Sequence, residues 1–240
     1  MDIKTGNGAF MNKIEDARRL AQTMVAAAKG SGLSACAFLT NMNEVLGKNV
    51  GNALEVIEAV DYLKGKYRNP RLNEIVMTLC RESLMLNGLA QTQEEAMAKL
   101  QDALDSGKAA EKFAKMVAAL GGPVDFMENT EKHLPKASVI RPVFAEKSGY
   151  VTAMDTYKIG SVVIVLGGQR KTLDQNVDYA VGFTDFVQIG DKVDSEKPIA
   201  VIHANSEDSF AEAEKMLRST IQVGAEPPVK EPVVYETVAA

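Results

Sequence analysis

Apolar residues in the first half of the chain fall into two kinds of spacing. Residues 36–39 form a short unbroken apolar run, the pattern of a strand covered on both faces, and residues 33–39 as a whole read as that strand, stopped by Thr40 and Asn41. Residues 1–4 read as the end of another strand. Between them Ile14, Ala17, Leu20, Ala21, Met24, Val25 and Ala28 recur at helical spacing, which predicts a helix over 12–29 capped by Asn12 and closed by Gly30-Ser31-Gly32. A polar loop with Asn43, Gly47, Asn49, Gly51 and Asn52 then leads into a helix whose stripe is Leu54, Ile57 and Tyr62. Strand, helix, strand, helix in this order implies a parallel sheet with covering helices. In such sheets ligands bind where strand ends meet helix starts.

Three more helices follow. Asn69 caps the first, with Pro70 in its opening turn and Leu72, Ile75, Val76, Leu79, Leu84 and Leu86 on its apolar face. Thr92 and Glu95 form a capping box for the second, and residues 109–120 form the third, broken by Gly121-Gly122-Pro123. An irregular stretch reaches Pro135, and the pattern then changes. Strand-like runs cover 139–145, 149–154, 181–183, 185–189 and 199–204, and Ser209 with Glu212 opens a last helix to about residue 221. Residues 162–166 are β-branched and fit a strand or a helix. The tail from Gly224, with three prolines, is expected to be loose or to form an edge strand near 233–235. No internal repeat is visible.

Composition narrows the class. With 46% hydrophobic and 25% charged residues, the chain is ordinary for a globular protein, and 240 residues suffice for one large or two ordinary domains. The net charge of −5 and the scattered lysines and arginines argue against a nucleic-acid binder. No apolar run approaches the ~20 residues of a membrane helix and no signal peptide is visible, so no membrane contact and a cytoplasmic location are expected. Cys36 and Cys80 lack paired spacing and are expected as buried free thiols. The two histidines, His133 and His203, are far apart; His133 reads as a surface residue and His203 as a strand residue or a general base.

Three stretches resemble one family. Residues 1–11, MDIKTGNGAFM, residues 42–56, MNEVLGKNVGNALEV, and residues 67–72, YRNPRL, are similar to the thymidine/pyrimidine nucleoside phosphorylase family and keep its order. The resemblance runs over nearly the whole chain but covers only the later half of the family's length. It implies phosphorolysis, in which thymidine and phosphate give thymine and 2-deoxyribose 1-phosphate in pyrimidine nucleoside salvage, with phosphate as co-substrate and no other cofactor required. It also implies that Phe10 forms a wall of the pyrimidine pocket, with Lys4, Gly6 and Gly8 as further substrate-binding candidates. Read on their own, Phe10 is equally a core residue and Thr5-Gly6-Asn7-Gly8 a structural turn. In some members a potassium ion is held near the phosphate by two loop carbonyls and a helix carboxylate, at the positions of Leu46, Asn49 and Glu58. An exposed helix glutamate is the plainer reading of Glu58, and Glu55 is its rival for any charge role. Gly167-Gly168-Gln169-Arg170-Lys171 is a glycine turn with two cations that suits an anion or a plain surface turn.

The resemblance also sets the expected fold: a partial parallel sheet with covering helices over 1–123, a connection over 124–140, an α+β domain of barrel-sandwich or hammerhead type over 141–223, and a proline-containing tail over 224–240. It takes residues 155–166 as a helix. Gly190-Asp191-Lys192-Val193 and Lys197-Pro198 resemble the turns of biotinyl- and lipoyl-type folds, but the modified-lysine hairpin of those carriers is missing. The family's phosphate signature, similar to Ser-Gly-Arg-Gly and then Gly-Gly-Thr-x-Asp, matches nothing in the 240 residues. Nor do its pyrimidine-binding arginine, serine and lysine, or the helical domain through which members form homodimers. The expectation is a chain that lacks the phosphate site and is inactive alone, or a non-catalytic assembly fragment that needs an upstream partner. An uncovered sheet edge is expected to make it self-associate.

Overall fold

In the computed structural model, which describes residues 1–170 and 172–239, the first strands are β1 (Asp2–Thr5) and β2 (Cys36–Asn41), joined by α1 (Ile14–Gly30). A helical return forces the two strands parallel, and they pair from Asp2↔Phe38 to Thr5↔Asn41. The strand therefore runs past its apolar part. Thr40 and Asn41 extend it because both side chains are satisfied: Thr40 Oγ1 donates to Asp2 Oδ1 (2.5 Å) and Asn41 Nδ2 to Glu231 Oε2 (3.3 Å). Its start is Cys36 rather than Leu33, which stays exposed. Ala17, Ala21 and Val25 of α1 pack on Ile3, Ala37 and Leu39 to make a small core. Asn12 does not cap this helix. Lys13 holds the cap position without a side-chain bond, and with its amide turned over Asn12 places its nitrogen 2.8 Å from the carbonyls of Gly6 and Ala9.

The helical run is α2 (Asn52–Leu63), α3 (Pro70–Leu86), α4 (Gln93–Asp105), α5 (Lys108–Ala119) and the single turn α6 (Thr130–His133). Its caps follow the sequence closely. Asn69 accepts from Leu72 N, and Thr92 accepts from Glu95 N. Cys80 lies on the exposed side of α3, so only Cys36 is buried. His133 is not a free surface residue either: its Nε2 lies 2.8 Å from Asp125 Oδ1 and its ring stacks on Phe126.

The remaining elements are β3 (Val139–Val143), β4 (Gly149–Met154), α7 (Thr156–Leu166), β5 (Gly182–Thr184), β6 (Lys192–Val193), β7 (Ala200–Ala204), α8 (Glu207–Arg218), β8 (Ile221–Gly224) and β9 (Val234–Ala239). Two antiparallel sheets, β3-β7-β5 and β6-β4-β8, enclose the larger core with α7 and α8. Asp155 caps α7 by accepting from Lys158 N (3.0 Å), so residues 162–166 are helical. Residues 185–189 are not a strand. Asp185 takes a positive φ of 52°, which breaks the extended run, and the chain after it buries Phe186 and Val187 without pairing as a strand. The last helix is capped by Ser206, three residues before Ser209, and ends at Arg218, so Ile221 starts β8.

The tail takes the edge-strand alternative, over Val234–Ala239 rather than 233–235 alone. β9 crosses back and pairs antiparallel with β2, from Cys36↔Ala239 to Thr40↔Val234, giving the order β1-β2-β9. Arg18 of α1 grips Glu236 through two bonds of 2.8 and 3.0 Å. The β2 edge is thus covered by the chain itself. The fold is mixed α/β with small sheets, and among the described residues no helix is long and apolar enough to cross a membrane.

Candidate functional site

The carboxyl ends of β1 and β2 and the first turn of α7 face one cavity of about 370 Å³. Its walls are mostly apolar, with Val45, Leu46, Leu72 and Ile159 among them. A few polar groups enter it: Lys4, Glu55, Glu58 and Thr156. An apolar pocket with few polar groups suits a small organic ligand.

Each polar group is held by its element. Lys4 extends from β1, and its Nζ donates to Asp2 Oδ2 (2.6 Å) and Thr40 Oγ1 (3.2 Å). Glu58, nearly two turns into α2, gathers the preceding loop: its carboxylate accepts from Lys48 N (2.8 Å) and Asn49 N (3.1 Å). Glu55 Oε1 accepts from Gly51 N (2.9 Å) at the start of α2. Burial pushes the Glu55 carboxyl above the usual range; the Gly51 N–H opposes this, and the charge of Glu58 adds to it. Thr156 is 6% exposed and its Oγ1 has no partner among the described residues.

Of the residues singled out by sequence, Lys4, Leu46, Asn49 and Glu58 meet at this cavity. Among the described residues no donor is paired with the carbonyls of Leu46 and Asn49. With the Glu58 carboxylate on the same cavity, these carbonyls make an all-oxygen donor set of the kind hard cations take. Gly6 and Gly8 do not line the cavity. A Cβ on Gly6 would strike the Asn43 side chain, and one on Gly8 would strike Thr156. Gly6 faces a more open cleft of about 600 Å³ beside Asn43, Glu231 and Tyr235. Phe10 is not on the cavity and is not a core residue, since its side chain is wholly in solvent. Arg170 is exposed after the left-handed Gly167, and Lys171 lies outside the described residues. His203 sits on β7, away from the cavity; its Nε2 lies 3.0 Å from Thr184 Oγ1, and burial lowers its pKa.

Several residues that organise the site lie in the quoted motifs but were given no role by the sequence. Asn7 Nδ2 donates to Met154 O (2.9 Å) and its Oδ1 accepts from Thr156 N (2.7 Å), which pins the first loop to α7. Asn7 N also donates to Asn43 Oδ1 (2.9 Å). Arg71, only 7% exposed, donates to Glu44 Oε1 (2.8 Å) and Asn41 O (2.6 Å), while Glu44 Oε2 accepts from Ile189 N (2.8 Å). Arg71 stood in the 67–72 motif, but nothing in its spacing foretold burial.

Two known families match this chain. Residues 1–110 match the glycosyl transferase family, a/b domain, and residues 150–224 match the pyrimidine nucleoside phosphorylase C-terminal domain. Lys4, Leu46, Glu55 and Glu58 fall in the first match and Thr156 and Ile159 in the second, so the cavity lies where the two matched regions meet.

Proposed function

Since the chain belongs to the thymidine/pyrimidine nucleoside phosphorylase family, we propose that it serves phosphorolysis of thymidine to thymine and 2-deoxyribose 1-phosphate, in cytoplasmic pyrimidine salvage. The observation that carries this reading is the cavity at the strand ends, where Lys4, Glu55 and Glu58 converge. Leu46, Asn49 and Glu58 would hold a potassium ion, which supplies positive charge near the phosphate. Glu58 orders the loop by binding the Lys48 and Asn49 amides. Lys4 brings a cation to the same pocket. Phe10, held out in solvent, is free to stack on the flat face of a pyrimidine. The two small C-terminal sheets serve on this reading as the halves of a barrel-sandwich.

The transition state of such a reaction has oxocarbenium character, so catalysis rests on placing the phosphate and stabilising the leaving base. No stretch of the 240 residues resembles the family's phosphate signature. The chain therefore supplies a pocket wall and a cation loop, and is inactive alone. The test is phosphate-dependent release of thymine from thymidine, with the chain alone and mixed with a polypeptide that carries the phosphate signature. Activity only in the mixture supports the reading; turnover by the chain alone overturns the assigned division of labour.

A second reading, a non-catalytic assembly element, is favoured by one observation. β1 is bonded to β2 on one side only, and its other edge has no strand among the described residues. Co-purification of a partner that pairs there, with no turnover in the mixture, would favour it.

A further inference from the structure

The loop that carries Leu46 and Asn49 is built by two partners that are distant in sequence. From one side Glu58 binds the Lys48 and Asn49 amides. From the other the C-terminal half binds the backbone of the same loop. Val50 and Phe183 exchange both backbone bonds, Val50 N to Phe183 O at 2.9 Å and Phe183 N to Val50 O at 2.7 Å. Phe186 N donates to Lys48 O (2.9 Å), and Ile189 N to Glu44. Asn52 Nδ2 donates to Gly168 O (3.0 Å), and Ala53 N to Tyr179 O (3.1 Å). Val45, in the middle of the loop, is buried in the C-terminal core.

This seam depends on two glycines that face each other. Gly51 has φ 126° and Gly182 φ 144°, a region that L side chains rarely adopt. Space forbids a side chain as well: a Cβ on Gly182 would overlap Val50 O and approach Gly51 Cα, and one on Gly51 would overlap Val181 O. Phe183, next in sequence to Gly182, is fully buried and packs edge-on against Phe186 at 5.6 Å, so the strand cannot back away from the loop.

We propose that Gly182 is a positioning residue, through which the C-terminal half sets the geometry of the Leu46–Asn49 loop by way of Val50. The partner of the site loop is thus the chain's own β5, and the C-terminal half acts as a template for the cation loop as well as a cover. This deepens the function proposed above and rests on it for the meaning of the loop, but not for the coupling itself.

The test is made on the whole chain by amide hydrogen exchange and ¹⁵N-resolved NMR, without any assay of turnover. In Gly182→Ala, the Lys48 and Asn49 amides should exchange about tenfold faster or more. Their carboxylate-bonded resonances should move, while the amides of Ala21 and Leu39 in the small core keep their rates and positions. Asn52→Ala, which removes one side-chain bond of the seam and creates no clash, should give the same localised pattern at smaller size. It keeps the proposal open to refutation if Gly182→Ala fails to fold. Unchanged Lys48 and Asn49 amides in a folded variant, or an equal acceleration at Ala21 and Leu39, would overturn it. Localised acceleration together with no phosphorolysis in the reconstituted mixture would leave the coupling standing and sink the function reading instead.

Discussion

The core between the C-terminal sheets contains twenty buried residues among those described, whereas the core under β1 and β2 contains six. The two differ in kind as well as size. The larger is enclosed by two sheets and two helices, and takes in Val45 from the first half of the chain. The smaller is one helix on a two-stranded parallel pair, finished only when β9 returns from the far end of the chain. Burial of apolar surface stabilises roughly in proportion to its area, so the larger core is the rigid partner. The cavity lies between them, with its floor on the weaker unit and its loop held by the stronger one. A site arranged in this way inherits its precision from the neighbouring core.

The sharpest break in this comparison would come from the larger core. Phe186→Ala should cost about 3–5 kcal/mol in urea denaturation and should also loosen the loop, because the buried ring anchors the backbone whose N–H holds Lys48 O. Leu39→Ala, fully buried in the smaller core, should cost about 2–5 kcal/mol and leave the Lys48 and Asn49 amides protected. Equal loosening of the loop by both substitutions would erase the distinction between the regions.

The buried Arg71–Glu44 pair tests the joint itself. Arg71→Leu leaves the largely buried Glu44 carboxylate without its counter-charge, held only by Ile189 N, and should cost up to about 3–5 kcal/mol by the same measurement. The double variant Arg71→Leu/Glu44→Leu should recover part of that loss, because no unpaired charge remains. A double variant worse than the single would mean that the pair holds the joint through its Asn41 and Ile189 bonds rather than through charge.

A smaller effect is expected with pH, and it is confined to the C-terminal sheets. Burial depresses the His203 pKa in the folded protein, so above the unfolded value of about 6.5 both states are neutral there. As pH falls through that value, the unfolded chain takes up a proton that the folded chain resists. Thermal stability should therefore decline below pH ~6.5, and the part due to His203 should vanish in His203→Gln. A decline of the same size in that variant would assign the loss to other groups. The smallest effect belongs to the tie on the weaker unit. Arg18→Ala removes a partly exposed ion pair to Glu236 and should lower the melting temperature only slightly in low salt, and less in high salt.

Much of the secondary structure could be read from the sequence because it is decided locally. The α3 and α4 caps depend on Asn69 and Thr92 bonding an amide three residues on, whereas the α7 helix followed only from the family resemblance. The helix over 14–30 follows from its 3.6-residue period. Where a residue was misjudged, two local solutions competed. Ser206 and Ser209 both suit a helix start, and Asn12 lies one residue from the true cap. Of the site, Lys4, Leu46, Asn49 and Glu58 were legible through family resemblance, and they do share a cavity. Asn7, Arg71, Glu44 and Thr156 were not, because their roles exist only across separations such as the 149 residues between Asn7 and Thr156.

Local patterning places most helices to within a few residues, shows which faces are apolar, and makes β1 and β2 parallel. Each of these depends on neighbours within a few turns of chain or on the reach of one connection. Tertiary contacts alone settle which strand the tail pairs with as β9, that the chain turns at Asp185 instead of extending as a strand, and that Gly51 and Gly182 face each other. A backbone hydrogen bond to a remote strand leaves no mark on side-chain periodicity, since any residue type supplies the same amide and carbonyl. The glycines were visible as letters, but the reason for their lack of a side chain lay more than a hundred residues away.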